Sequence, residues 1–169
     1  AGTLNRGDTY NARTQLVDGL QSRLGSGLKV FQPNQGNTLS FTQGISGFET
    51  ETEFALLPFD PNIECPLMWL HSLNNPGLAF VITNPLLYMP DYRLDLTAAE
   101  KRDVALGPND IMKIYVIVRI PEDYRQMTGN FLAPIVVNET RMICKQFVLT
   151  HPEYETRHFL LPEDVRTGS

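Results

Sequence analysis

The chain is poor in sulfur and in histidine, and its positive charge is nowhere concentrated. Its two cysteines, Cys65 and Cys144, stand far apart with no C-x-x-C spacing, which argues against a structural zinc site. Both sit in apolar, strand-like contexts that suit buried thiols of a reduced compartment, and a disulfide would need the fold to bring them together. The three histidines, His71, His151 and His158, form no H-x-H or H-E-x-x-H pattern, so no metal or cofactor is expected. Walker A, G-x-G-x-x-G and G-x-S-x-G loops are missing as well. No apolar run approaches the roughly 20 residues of a membrane helix. Residues 1–11 are polar, without the apolar segment of a signal peptide, so a cytoplasmic protein is expected. Lysine and arginine do not cluster and the formal net charge is −5, which disfavours a direct grip on nucleic acid. An acidic surface instead steers toward basic protein partners, or only keeps the chain soluble.

What is present is strand-forming sequence broken by turn chemistry. At 169 residues the chain is long enough for one domain with a real core. Strands are expected at Leu28–Phe31, Thr38–Phe41, Phe54–Phe59, Met68–Leu73, Ala79–Thr83, Tyr92–Leu96, Ile111–Ile120, Ile135–Asn138 and Met142–Leu149. A short strand is expected near His158–Leu161. Between them lie Asp60-Pro61-Asn62, Asn74-Asn75-Pro76-Gly77 and Gly107-Pro108-Asn109-Asp110, which favour turns. Ile111–Ile120 has the pattern of a central strand covered on both sides. Thr128–Asn138 reads as a polar turn feeding the buried Ile135-Val136-Val137 run. One interior helix is expected, opened by the capping box Thr97-Ala98-Ala99-Glu100 and stopped by Gly107-Pro108. Many short strands and one short helix predict a mainly β protein, a small antiparallel β-barrel-like domain. Residues 1–19 form a leader, 20–163 the domain and 164–169 a tail. Asn11–Leu24 fits a short amphipathic helix, whereas Leu20–Gly25 fits a first strand; Gly19, Gly25 and Gly27 favour the strand.

Catalytic chemistry is hard to assemble. His71 and Ser72 are adjacent on an expected strand, so their side chains point to opposite faces and cannot pair. A strand histidine bonded to backbone explains His71 better. Glu49, Glu51 and Glu53 alternate, so on an extended segment they would line one face, either meeting a basic partner or protecting a solvated edge.

Several blocks, in order, resemble the flagellar assembly factor FliW family. The first is Leu39-Ser40-Phe41-Thr42-Gln43-Gly44-Ile45-Ser46-Gly47-Phe48-Glu49. Pro66–Phe80, Asn84–Tyr92 and Thr128–Asn138 follow, then Lys145-Gln146-Phe147-Val148-Leu149 and Tyr154-Glu155-Thr156-Arg157-His158. Together they cover about Leu20 to Leu161. The sequence departs from the family pattern at His71, at Asn74-Asn75, where acidic residues are usual, and at Gly129-Asn130-Phe131. The resemblance implies a protein-binding switch without enzymatic activity. Its partners would be flagellin and the translational regulator CsrA, whose repression of flagellin mRNA it relieves. An exposed acidic set (Glu49, Glu51, Glu53, Asp91 and Asp95) is expected to meet the regulator. An apolar groove near Phe48 or the Asn130-Phe131 turn is expected to hold flagellin. The rival readings are a β-barrel that binds RNA directly and a hydrolase using His71 or His158.

Overall fold

A computed structural model describes residues 38–60, 62 and 65–168. In chain order it contains strands β1 (Thr38–Phe41), β2 (Glu53–Pro58), β3 (Leu67–Ser72), β4 (Ala79–Thr83) and β5 (Met112–Arg119). These are followed by β6 (Thr128–Gly129), β7 (Ile135–Asn138), β8 (Ile143–Gln146) and β9 (His158–Phe159). Two short α-helices, α1 (Ala98–Asp103) and α2 (Glu163–Thr167), and two single-turn 3-10 helices, Pro85–Leu87 and Tyr124–Gln126, complete the set. The order β4-β3-β2-β1-β8-β7-β5 is closed by pairing of β4 with β5, giving a barrel. β6 and β9 extend from the far end of β5. Every wall contact is antiparallel except β1 against β8, which run parallel through Ser40↔Ile143 and Phe41↔Cys144. The expectations for the N-terminal leader, for Asn11–Leu24 and for Leu28–Phe31 lie outside the described residues.

The two-residue repeat of a strand sorts side chains between lumen and exterior. On β2, Phe54 and Leu56 are buried while Glu53, Ala55 and Leu57 are only half-buried. Phe41, Phe54, Leu70, Phe80, Ile117, Val137 and Cys144 belong to one cluster drawn from all seven barrel strands, which fills the lumen. A second core lies outside the wall, where Trp69, Val81, Val116 and Val118 meet Tyr92, Met127, Phe131 and Leu160. A third, smaller one sets Val104 after α1 against Val136 and Phe147. β5 therefore has apolar cover on both faces, as its sequence pattern predicts, with Tyr115 and Ile117 in the lumen cluster and Val116 and Val118 in the outer one. The two cysteines are buried and lie in different clusters, Cys144 in the lumen and Cys65 outside, so they form no disulfide with each other.

Three expectations need correction. Tyr92–Leu96 is not a strand. Its alternation is real, but Tyr92 enters the outer core and Leu94 and Leu96 the smaller one, so the segment straps the barrel instead of joining a ladder. Its polar groups turn to side chains: the Arg93 amide donates to the Tyr154 hydroxyl at 2.7 Å, and the Tyr92 hydroxyl donates to the Phe131 carbonyl at 2.6 Å. Thr128–Gly129 is a strand, not part of a turn, paired on both sides by β5 and β9. A Cβ at Gly129 would come within 2.9 Å of the Phe131 ring, so glycine is there for close packing. Finally, the described residues hold two short α-helices instead of one, and α2 occupies most of the expected tail, with Val165 packed on the outer core. The capping box at α1 forms in full, with Thr97 Oγ1 accepting from the Glu100 amide and Glu100 Oε1 from the Thr97 amide.

Candidate functional site

Most of the residues singled out in the sequence gather at one end of the barrel, where β1 gives way to a loop that returns as β2. Residues 42–52 do not run straight. Gly44 and Gly47 adopt φ of +69° and +87°, and a Cβ on Gly44 would meet the Glu49 backbone at 2.6 Å. The chain curls so that Ile45 is buried in the lumen cluster and Phe48 packs edge-to-face on Phe80 at 5.4 Å. The Phe48 amide donates back to the Ile45 carbonyl at 2.7 Å. The loop is thus a plug, and Phe48 is its half-buried stopper.

That curl corrects the expectation of three glutamates in one extended row. Glu49 lies in the turn, exposed, and accepts from the Gly47 amide at 3.0 Å. This bond holds its carboxyl below the usual carboxylate range. Glu51 and Glu53 are half-buried. Glu51 Oε2 accepts from the Ser72 hydroxyl at 2.9 Å, and the Glu53 carboxylate accepts from the Ser40 hydroxyl at 3.1 and 3.2 Å. Serine hydroxyls therefore fix two carboxylates without neutralising them. Among the described residues, Arg125–Asp123, Arg141–Asp110 and Lys145–Asp103 form ion pairs, and none of these cations reaches Glu49, Glu51 or Glu53. Asp91 and Asp95 are exposed but sit on the strap between β4 and α1, away from the glutamates in sequence.

The second expected element, the Asn130-Phe131 turn, is built differently from what its sequence suggests. Phe131 is 0% exposed, wedged against Tyr92 at 5.3 Å and against the His158 ring at 4.5 Å. It supports the turn from inside and cannot touch a partner directly. Asn130 is half-buried, and its side-chain oxygen accepts from the Ala133 amide at 3.1 Å, which fixes the turn. The apolar surface near this turn belongs to Val148, 71% exposed, on the segment whose Leu149 amide donates to the Leu132 carbonyl. Leu73, 51% exposed, plays a similar part next to the glutamates, its amide donating to the Glu53 carbonyl. The sequence reading places both inside expected apolar strands, Met68–Leu73 and Met142–Leu149. Nothing in their local spacing marks them as surface.

The histidines have separate occupations. Nδ1 of His71 lies 2.9 Å from the Ser72 carbonyl, the backbone contact expected for a strand histidine. His151 stacks on Tyr154 and His158 tilts over Phe131. Among the described residues no group of three or more His, Cys, Asp and Glu is placed to hold a metal ion. No helix among them is long and apolar enough to cross a membrane.

Fold and site together define a class: a small closed β-barrel whose plugged end presents unneutralised carboxylates beside exposed apolar side chains. A family model described as "FliW protein" matches residues 28–160. The chain is 35% identical over 130 residues to the flagellar assembly factor FliW of Alkaliphilus metalliredigens, covering 77% of this chain and 80% of that relative. It is 36% identical over 134 residues to the flagellar assembly factor FliW of Anoxybacillus flavithermus, covering 79% and 90%. A crystal structure of the flagellar assembly factor FliW superposes with a TM-score of 0.69 at 33% identity, over 79% of this chain and 91% of that one. This chain belongs to the FliW family.

Proposed function

We propose that the protein is a cytoplasmic, non-enzymatic binding switch that holds flagellin and, when free of it, captures the translational regulator CsrA, relieving repression of flagellin mRNA. The observation that carries the reading is the set of carboxylates at the plugged end. Glu51 and Glu53 are pinned by Ser72 and Ser40 and, like Glu49, form no ion pair among the described residues. A protein that binds RNA presents basic surface, and a pre-set acidic face accelerates its docking and orients it. Leu73 adds an apolar contact at the same end. Flagellin is expected to bury apolar surface, and Val148, exposed beside the Leu132 backbone, is the candidate contact for it. Asn130 serves this contact by fixing the turn, and Phe131 by supporting it.

Partner capture tests the reading. The purified protein, immobilised, is offered flagellin and the regulator separately and then together. It should retain each alone, and flagellin should reduce retention of the regulator. Recovery of neither partner would sink the proposal.

A further inference from the structure

The two candidate docking elements, the plug loop and the Asn130 turn, are far apart in sequence yet joined by one side chain. Gln146 ends β8. Its Oε1 accepts from the Ser46 amide of the plug at 3.0 Å, and its Nε2 donates to the Ala133 carbonyl of the turn at 3.1 Å. The Ala133 amide in turn donates to Asn130 Oδ1 at 3.1 Å. A continuous path of three hydrogen bonds therefore runs from the plug that carries Phe48 and Glu49 to the residue that shapes the turn.

The topology explains why this contact exists. β1 and β8 are parallel, so both leave the barrel at the same end. The continuation of β1 is the plug, and the continuation of β8 runs beside residues 132–134, through the Phe147 amide to the Pro134 carbonyl and the Leu149 amide to the Leu132 carbonyl. An antiparallel β8 would have put its first residues, not Gln146, beside the plug. A planar amide bonded at both ends also transmits displacement, because either end can move only by breaking its bond or dragging the other. β1 itself is tied toward β2, by Ser40 to Glu53 and by Phe41 packed edge-on to Phe54 at 5.1 Å. Just beyond the two-residue β1–β8 seam, the Gln146 side chain joins the plug to the Asn130 turn.

We infer that Gln146 is a positioning residue that couples the two docking elements, so that occupation of the Asn130 turn changes the pose of the plug and the reverse. The inference rests on the functional reading above and supplies its missing link: partner exchange through a shared strut instead of overlap of the two partners. Linkage requires the effect to be reciprocal.

The test measures flagellin affinity for the free protein and for the protein saturated with the regulator, by calorimetry, in wild type and in Gln146→Met, which keeps length and removes both hydrogen bonds. In wild type, saturation should weaken flagellin binding at least tenfold. In Gln146→Met that ratio should fall below threefold, while each partner's affinity for the free protein changes less than threefold. An unchanged ratio would overturn the strut and leave the functional reading standing. Failure of the wild type to bind either partner would overturn the functional reading itself. Hydrogen exchange on the unmodified protein guards against a variant that folds poorly. Flagellin alone should alter amide protection in both 42–52 and 130–134, and a change in one segment only would refute the coupling.

Discussion

The two ends of the barrel use the same residue type in opposite ways. At the end away from the plug, Asp110 is surrounded: it accepts from the Gly107 amide at 2.9 Å, from Asn138 Nδ2 at 2.9 Å and from Arg141 Nε at 3.3 Å. Asn138, 0% exposed, also donates to the Val104 carbonyl and lies within bonding reach of Ala105, so it sews the end of α1 to β7. This cluster is closed on itself. At the plugged end the glutamates are fixed by hydroxyls and amides and left with their charge. A carboxylate whose partners include a cation is finished as architecture; one held only by neutral donors still has its long-range field to offer.

Breaking the closed end should have the largest effect. Asn138→Ala leaves the Val104 and Ala105 carbonyls without their side-chain donor and removes one of the three donors to Asp110, and should lower unfolding stability by about 3 kcal/mol in urea titration. A loss below about 1 kcal/mol would show that this end is not structural. Next comes the plug: Gly44→Ala forces a side chain into a left-handed backbone against Glu49, with an expected cost of about 1–3 kcal/mol. It should also disturb the near-ultraviolet signal of the lumen aromatics, since Phe48 leaves Phe80.

Charge reversal at Glu49, Glu51 and Glu53 should do the opposite of the Asn138 change. Stability should fall less than for Asn138→Ala, through the lost Ser72 and Ser40 bonds, while association with the basic regulator slows about tenfold at low salt and less at high salt. Equal loss at both salt concentrations would remove the electrostatic basis of the site.

The smallest effect is in pH. Asp110 is held below the usual carboxylate range, first by the Gly107 amide and then by Asn138, and Glu49 by the Gly47 amide. Each folded carboxyl therefore titrates below its unfolded value. Its contribution is complete above about pH 4 and is lost as pH falls through the lowered folded value. Asp110→Asn should flatten that acid limb more than Glu49→Gln, because Asp110 has more partners to lose.

How much of this was legible beforehand depends on range. Ala79–Thr83 and Ile135–Asn138 match observed strands end to end, since a dense apolar run between turn residues leaves little choice. Thr97 and Glu100 specify their capping box within four residues. Tyr92–Leu96 misled because period-two burial is the same for a ladder strand and an extended strap; only the location of its hydrogen-bond partners separates them. Phe131 misled for a related reason. A phenylalanine after a turn can face solvent or core, and the choice was made by Tyr92, 39 positions away.

By itself the sequence determined the β class, the turns at Asn74–Gly77 and Gly107–Asp110, the helix start and the family, because each rests on neighbours in the chain or on ordered blocks. Tertiary structure alone decided that the barrel closes through β4 and β5 and that β1 meets β8 in parallel. It also decided that Gln146 would face Ser46, which lies 100 positions away. These are contacts between distant segments. They form only when burial of the lumen side chains offsets the entropy of bringing those segments together, and no local pattern records their partners.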